Sequence, residues 1–418
     1  MSHAHVEAGA PPRLPLPEFI ALIAMLFATI AFSIDAMLPA LPEIAQQLTP
    51  ADPNKAQLIV TSFVLGMGLG TLFAGPLSDS FGRRNVIMAG AVLYCAASAV
   101  AMIAPSLETV LAARIVQGLG AAGPRVVSLA LVRDLYKGRE MARVVSFAMM
   151  IFTLVPAVAP LAASGIIAAW GWRAIFAAFI LFAAIAMGWM LARQPETLPP
   201  SARRPLAIGP LWQALREVLA NRVVLTAIAV QTLCFGCLFG TLSSTQQLFD
   251  QTFGRGESFP LWFALIALLS SSASMINAAL VVRLGMRRMI STTLWAQVAL
   301  AGGFAAAWAS GLLSGGLLAG GAAFPVYILW TTSVFMMAGL VLGNLNAIAL
   351  EPLGHIAGMA ASVSGALSTV LAVMIAAPLG LAFDGTPLPL ALGVCLLSLG
   401  GASLMLTLPK REGAALPK

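Results

Sequence analysis

The stretch Gly75-Pro-Leu-Ser-Asp79-Ser-Phe-Gly82-Arg83-Arg84 closes one apolar run, and Val281-Val-Arg283-Leu-Gly285-Met-Arg287-Arg288 closes another in the second half of the chain. Both copies end on a glycine followed within two residues by paired arginines. A further echo lies downstream of each, where Ala159-Pro160-Leu161 returns as Ala377-Pro378-Leu379. Self-similarity at a fixed spacing is the mark of a repeated structural unit. The chain therefore reads as two related halves.

The halves are made of hydrocarbon. Of the 418 residues, 60% are hydrophobic and only 9% charged, and mean hydropathy is +0.93. Soluble domains carry roughly 25% charged residues, so this composition excludes one. A helix crosses a bilayer with about 20 apolar residues. Segments of that kind are predicted at 19–38, 57–77, 86–104, 109–131, 144–167, 174–192, 223–245, 260–281, 289–308, 321–346, 357–381 and 387–408. The expected fold is an all-α membrane protein of twelve transmembrane helices in two six-helix bundles. Its parts are a tail over 1–18, a bundle over 19–192, a linker over 193–221, a bundle over 222–408 and a tail over 409–418.

Basic residues orient it. With both termini in the cytoplasm, 18 of the 23 Lys and Arg residues fall inside, Arg13, Arg204, Lys410, Arg411 and Lys418 among them. Only Lys55, Arg173 and Arg255 fall outside, and Arg114 and Arg125 lie within spans. That bias is the usual topology signal, and it makes the +7 net charge an insertion signature rather than a nucleic-acid surface. The linker opens on the turn-rich run Gln194-Pro195-Glu196-Thr197-Leu198-Pro199-Pro200. It goes on to place Leu211, Leu215 and Leu219 on one helical face, with Arg216 and Glu217 off it. Such a segment suits either a helix lying on the inner membrane surface or a plain tether. All four cysteines fall in spans; Cys234-Phe-Gly-Cys237 has the spacing of a metal or redox pair but no second pair or histidine beside it, so it reads as packing. Parallel six-helix repeats around a cavity are one of the transporter architectures.

At this point the residues resemble a known family. Gly75, Asp79, Gly82, Arg83 and Arg84 match the loop between helices two and three of the major facilitator superfamily. Ile34-Asp35-Ala-Met-Leu-Pro39-Ala-Leu-Pro42 is similar to the first-helix signature of its proton-coupled drug exporters, in particular the bicyclomycin/chloramphenicol-resistance (Bcr/CflA) branch. Arg114-Ile-Val-Gln117-Gly118-Leu-Gly120, Arg133-Asp134 and Trp170-Gly-Trp172-Arg173-Ala-Ile-Phe176 agree with that branch. The resemblance implies a breakable charge latch at Asp79, tying the halves together when the outside is open. Without it, Arg83 and Arg84 are ordinary positive-inside anchors. The second copy has Val282 where Asp79 would fall, so any latch is asymmetric. Pro156, Pro160 and Gly165 lie where the drug exporters carry their antiporter motif, with Pro378 as counterpart, although alanines replace the usual glycines.

Three ionisable residues in the spans carry the chemistry. Asp35 is the one carboxylate well inside an apolar span, an expensive placement that reads as part of an ion or substrate pathway. Counting from the predicted helix ends puts Asp35 and Arg114 within roughly 5–8 Å of the outer side, where the two could meet. Water or a guanidinium favours the carboxylate and hydrocarbon favours the acid, so a change of surroundings would load or release a proton. The competing reading is a permanent salt bridge between the first and fourth helices. Arg125 follows Arg114 by 11 residues, about 20° past three full turns, so both stripe one helix face. The family usually has a small residue there. Arg125 suits either an anionic or zwitterionic substrate in the cavity or a side chain snorkelling to the inner headgroups.

Substrate contacts are expected among Gln117, Gln231, Gln246, Asn277, Asn344, Tyr327 and Trp330, since such cavities are apolar with a few placed polar groups. Each also suits an interhelical hydrogen bond. His355 reads as a loop residue or a proton carrier. The spans hold no His/Asp/Glu cluster and the chain no Walker-type loop, so neither an enzyme nor an ATP-driven pump is expected. The leading expectation is a monomeric, cofactor-free, proton-driven exporter of small amphipathic compounds in a bacterial-type inner membrane. The alternative is a transporter of an organic anion or metabolite with the same fold.

Overall fold

A computed structural model describes residues 14–203, 205–206, 208–313 and 321–408. The tail over 409–418, most of the tail over 1–18, and Arg13, Arg204, Lys410, Arg411 and Lys418 lie outside the described residues. The α-helices are α1 (Leu16–Asp35), α2 (Leu41–Leu48), α3 (Leu58–Phe81), α4 (Arg83–Met102), α5 (Leu107–Leu135), α6 (Gly138–Trp170) and α7 (Ala174–Arg193), then α8 (Ile208–Ala220), α9 (Arg222–Gln247), α10 (Phe259–Leu284), α11 (Met286–Ala309), α12 (Ala323–Leu350), α13 (Ala357–Leu381) and α14 (Leu388–Leu406). Among the described residues, eleven stretches are long and apolar enough to cross a bilayer. One of them, Ala323–Leu381, holds both α12 and α13, parted by the 3₁₀ turn Glu351–Ile356 around Pro352.

Local chemistry sets the ends. The first helix stops at Asp35, three residues short of the expected boundary, because Pro39 and Pro42 direct the chain into a 3₁₀ turn and then α2. Ser106 caps α5 by accepting from the Thr109 amide at 3.3 Å, and Asn221 caps α9 by accepting from the amides of Val223 and Val224. Gly82 and Gly285 precede α4 and α11 with φ of 97° and 80°, a region other residues reach only at a cost. The repeated loop needs its glycine for that turn.

Helices α1 and α3–α7 pack on one another, and α9–α14 do the same. The two groups meet along α3 against α13 and α6 against α10. The α3–α13 seam is antiparallel: Gln57 abuts Gly380, Gly68 abuts Thr369, Thr71 abuts Gly365 and Gly75 abuts Ser362. Within the first group the α3–α5 contact is closer still. A β-carbon on Gly118 would overlap the Phe63 carbonyl, and one on Gly66 would overlap that of Ile115, so backbone lies on backbone. Gly118→Val is expected to abolish the monodisperse protein in detergent, read by size exclusion. Gly188→Val, where an added β-carbon would meet no packed neighbour within 4 Å among the described residues, should leave the melting temperature unchanged.

The linker helix α8 packs on α13 and α9. Its covered face is Leu211, Ala214, Leu215 and Val218, whereas Leu219 is exposed with Trp212. Of the expected Leu211–Leu215–Leu219 stripe only Leu219 falls outside, because the covered face is centred on Ala214 and Val218 and Leu219 lies about 100° round the helix from Val218. His355 Nε2 donates to Glu217 Oε1 at 2.7 Å, so the loop histidine tethers the linker. Cys234 and Cys237 are buried free thiols; Cys237 packs near Ser398 and the Val394 carbonyl.

Candidate functional site

One end of the helix assembly carries most of the arginines and is open; the other is shut. A cavity of about 730 Å³ lies at the arginine-rich end, walled by Gly75, Asp79, Arg83, Val126, Arg133 and Asp134 on one side and by Leu211, His355, Met359 and Ser362 on the other. Among the described residues, no ion pair joins the Asp79 loop to the second group. Arg83 Nη1 pairs with Asp79 Oδ1 and donates to Ser78 Oγ, while its Nε donates to Asp134 Oδ2 at 3.1 Å. Ser78, Asp79, Arg83 and Asp134 all belong to the first helix group.

The linker carboxylate Glu196 completes the hub. Its Oε1 accepts from the amides of Arg83, Thr197 and Leu198 at 2.9–3.0 Å, and its Oε2 from the Arg84 amide at 3.1 Å. A negative group there satisfies unpaired amides and faces the positive end of the α4 dipole. The Thr197 hydroxyl donates to Asp134. Read in sequence, Glu196 is only a carboxylate in a turn-rich run; the signal lies in its spacing after α7, which brings it to Gly82. Glu196→Ala orphans two helix-start amides, a loss of about 1 kcal/mol or more. Hydrogen exchange at Arg83 and Arg84 should speed up several-fold; unchanged exchange would dismiss the capping role.

The shut end is closed by amides. Gln57, 3% exposed, donates through Nε2 to Gln247 Oε1 and accepts from Ser244 Oγ at 2.9 Å. Gln247 Nε2 donates to Asn54 Oδ1 at 2.7 Å, and Asn54 Nδ2 donates to the carbonyls of Phe383 and Leu381 at 2.8 and 3.2 Å. Gly380 leaves room for Gln57. This uncharged clamp joins the segment before α3 to α9 and to the end of α13. The sequence reading named Gln246, which instead lines a recess beside Leu41, Pro42 and Gln57 with its carbonyl oxygen unbonded. Its neighbour Gln247 makes the clamp.

Asp35 and Arg114 do not pair. Arg114 is fully buried, and its Nε donates to the Ile59 carbonyl at 3.2 Å, Nη1 to Gln117 Oε1 at 2.6 Å and Nη2 to the Ser33 carbonyl at 2.9 Å. Phe63 lies under the guanidinium, 4.4 Å from ring centroid to Cζ. Gln117 in turn donates to Ser98 Oγ, and Ser33 Oγ shares a hydrogen with Tyr94 OH at 2.5 Å. The expected meeting fails because similar depth does not give facing azimuths, and carbonyls of α1 and α3 occupy the guanidinium. Asp35 is 5% exposed, with no hydrogen bond or ion pair to its carboxylate among the described residues.

Other candidates separate. Gln117 belongs to the Arg114 network. Asn344 donates to Asn277 Oδ1 at 2.7 Å and to the Leu340 carbonyl. Tyr327 packs against Phe249 and Phe253, and Trp330 stacks on Phe304 at 4.8 Å. These lie inside the second helix group, and Gln231 is buried on α9. Pro156 and Pro160 are carried within an unbroken α6 and Pro378 within α13; a β-carbon on Gly165 would meet no neighbouring helix within 4 Å among the described residues. Arg125, on α5, is exposed.

Paired helix groups, a shut polar clamp at one end and a cavity at the other define the transporter class of membrane protein. The profile of the Major Facilitator Superfamily matches residues 21–377, and the chain belongs to that family. It is 30% identical over 280 residues to a bicyclomycin resistance protein homolog of Haemophilus influenzae, covering 67% of this chain and 70% of the relative. It is 27% identical over 345 residues to multidrug resistance protein D of Escherichia coli, covering 80% and 81%. The D-xylose–proton symporter crystal structure superposes with TM-score 0.75 at 15% identity, covering 95% of this chain and 99% of that one.

Proposed function

We propose that this chain exports small amphipathic compounds across a bacterial-type inner membrane in exchange for protons, by alternating access. Twelve spans form two six-helix bundles, 19–192 and 222–408, joined by the 193–221 linker, with both termini and the arginine-rich end in the cytoplasm. The protein works as a monomer without a cofactor. The observation that carries this reading is the one-sided access: an open cavity at the arginine-rich end with the amide clamp shut at the other. A single chain that opens to one face at a time moves solutes uphill once a second ion shares the cycle. Membership of the family and the resistance proteins among the relatives support drug-like cargo. Asp35, nearly buried at the clamped end of α1 and without an ion pair among the described residues, is the group assigned to the proton.

Everted vesicles containing the full chain test it. An imposed pH gradient, acid inside, should drive uphill uptake of a fluorescent substrate into the vesicles, and collapsing the gradient should release it. Uptake indifferent to the gradient would overturn the proton-coupled reading. Cells stripped of their own efflux pumps should gain resistance to the compounds transported.

A further inference from the structure

We infer that Arg125 is the anion-reading group of the transport cavity, and that the cargo carries a carboxylate or equivalent negative charge on an apolar or aromatic body. This rests on the transport reading above and adds the charge class of the cargo.

Depth decides first. Arg125 Nη1 reaches Met67 Sδ at 3.6 Å. Met67 stands nine residues past Leu58, the outer start of α3, or about 14 Å along the helix. That is close to half of a hydrocarbon core of about 30 Å. The side chain therefore points back along α5 toward its N-terminus, as long helical side chains do, and ends near the midplane. A snorkelling arginine would turn the other way, toward Arg133 and the headgroups. On α5 the cavity's lining ends at Val126, and Arg125, one residue further from the mouth, is exposed. Transporter substrates bind at this depth, between the halves.

Partners decide next. Arg114 shares the helix face, and its donors are taken by two carbonyls and an amide. Arg83 and Arg193 each hold carboxylates. For Arg125 no carboxylate lies within 4 Å among the described residues, and the thioether it touches is a weak acceptor. Near the cavity mouth, Arg83 and Arg133 are balanced by Asp79 and Asp134. Beyond the Val126 end of the cavity, Arg125 thus stands as a positive charge with no carboxylate beside it among the described residues. Such a group is expensive in a membrane and persists where a ligand completes it. A guanidinium offers a planar fork that fits a carboxylate with two hydrogen bonds.

Charge balance follows. Exporting a monoanion for one inward proton moves two charges per cycle, so an inside-negative potential drives it. Exporting a monocation for one proton moves none.

Three probes of one shape test the inference on the full-length protein in nanodiscs: 2-naphthoate, 2-naphthamide and 2-naphthylmethylammonium. The wild type should bind naphthoate at least about tenfold tighter than either of the others, the weight of one hydrogen bond to a charged group. Arg125→Gln should erase that preference, bringing naphthoate to the affinity of naphthamide, and Arg125→Glu should transfer it to the ammonium. A folded Arg125→Gln protein that keeps the naphthoate preference overturns the inference. So does a wild type that binds naphthoate no tighter than naphthamide, a comparison that stands even if the variants fail to fold. Preference for naphthoate with transport indifferent to a pH gradient supports Arg125 and removes only the proton-coupled reading.

Discussion

Asp35→Asn is expected to abolish export against a gradient while leaving downhill equilibration of the same compound intact. The residue ends α1 at 5% exposure, and its carboxylate has no ion pair or hydrogen bond among the described residues. An isolated carboxylate in apolar surroundings is stable only with a proton, a cation or water at hand. Whatever supplies one of these must come with a change of conformation, and that dependence links proton movement to the cycle. Asparagine keeps the shape and cannot titrate. Uphill transport in vesicles should therefore be lost, leaving only the level that downhill equilibration reaches. Undiminished uphill transport by Asp35→Asn, with normal pH dependence, would take Asp35 out of the proton path. Arg114 is a different matter. Its donors hold α1, α3 and α5 together through Ser33, Ile59 and Gln117, so Arg114→Ala damages packing, and lost activity there says nothing about protons.

Gln57→Ala should spring the shut end. Gln57 bonds Ser244 and Gln247, and Gln247 bonds Asn54, which in turn holds the end of α13. Removing it deletes two buried hydrogen bonds across the halves and strands their partners, each worth about 0.5–1.5 kcal/mol net. A loss of about 1–3 kcal/mol moves a two-state equilibrium by roughly 5–150-fold. The clamp is uncharged, so this shift should be the same at pH 6 and pH 8. Spin labels at Ala51→Cys and Asp384→Cys, in a background without the four native cysteines, flank the clamp at exposed positions. Their distance distribution should gain a longer population in Gln57→Ala. An unaltered distribution in a folded, transport-competent variant would mean the clamp does not hold the seam.

The motif loop shows how far the sequence reaches. Gly82 and Gly285 were legible because a turn with φ of 97° or 80° is a demand made by consecutive backbone atoms. Span positions were legible because apolar length is local too, although the first helix ends at Asp35 under the influence of Pro39 and Pro42. The Asp35–Arg114 pairing was not legible: depth can be counted along a chain, but azimuth depends on which helices pack beside it. Glu196 and the Asn54–Gln57–Gln247 clamp were missed for the same reason. None of these residues is unusual for its segment, and each acquires its role from a partner elsewhere in the chain.

By itself, then, the order of residues determined a repeated, membrane-spanning helical chain, its basic-side bias, and the two arginines on one face of α5. Tertiary structure decided which charges are satisfied: Arg114 by carbonyls of α1 and α3, Arg83 by Asp79 and Asp134, and Arg125, among the described residues, by nothing but a thioether. It also decided which end is shut, through contacts such as Asn54 to Phe383, 329 residues apart. The physical reason is that helix propensity, hydropathy and glycine turns are set by neighbours in the chain. Hydrogen-bond partners are set by which faces meet, and a polar side chain in hydrocarbon takes whichever partner the packing brings within reach.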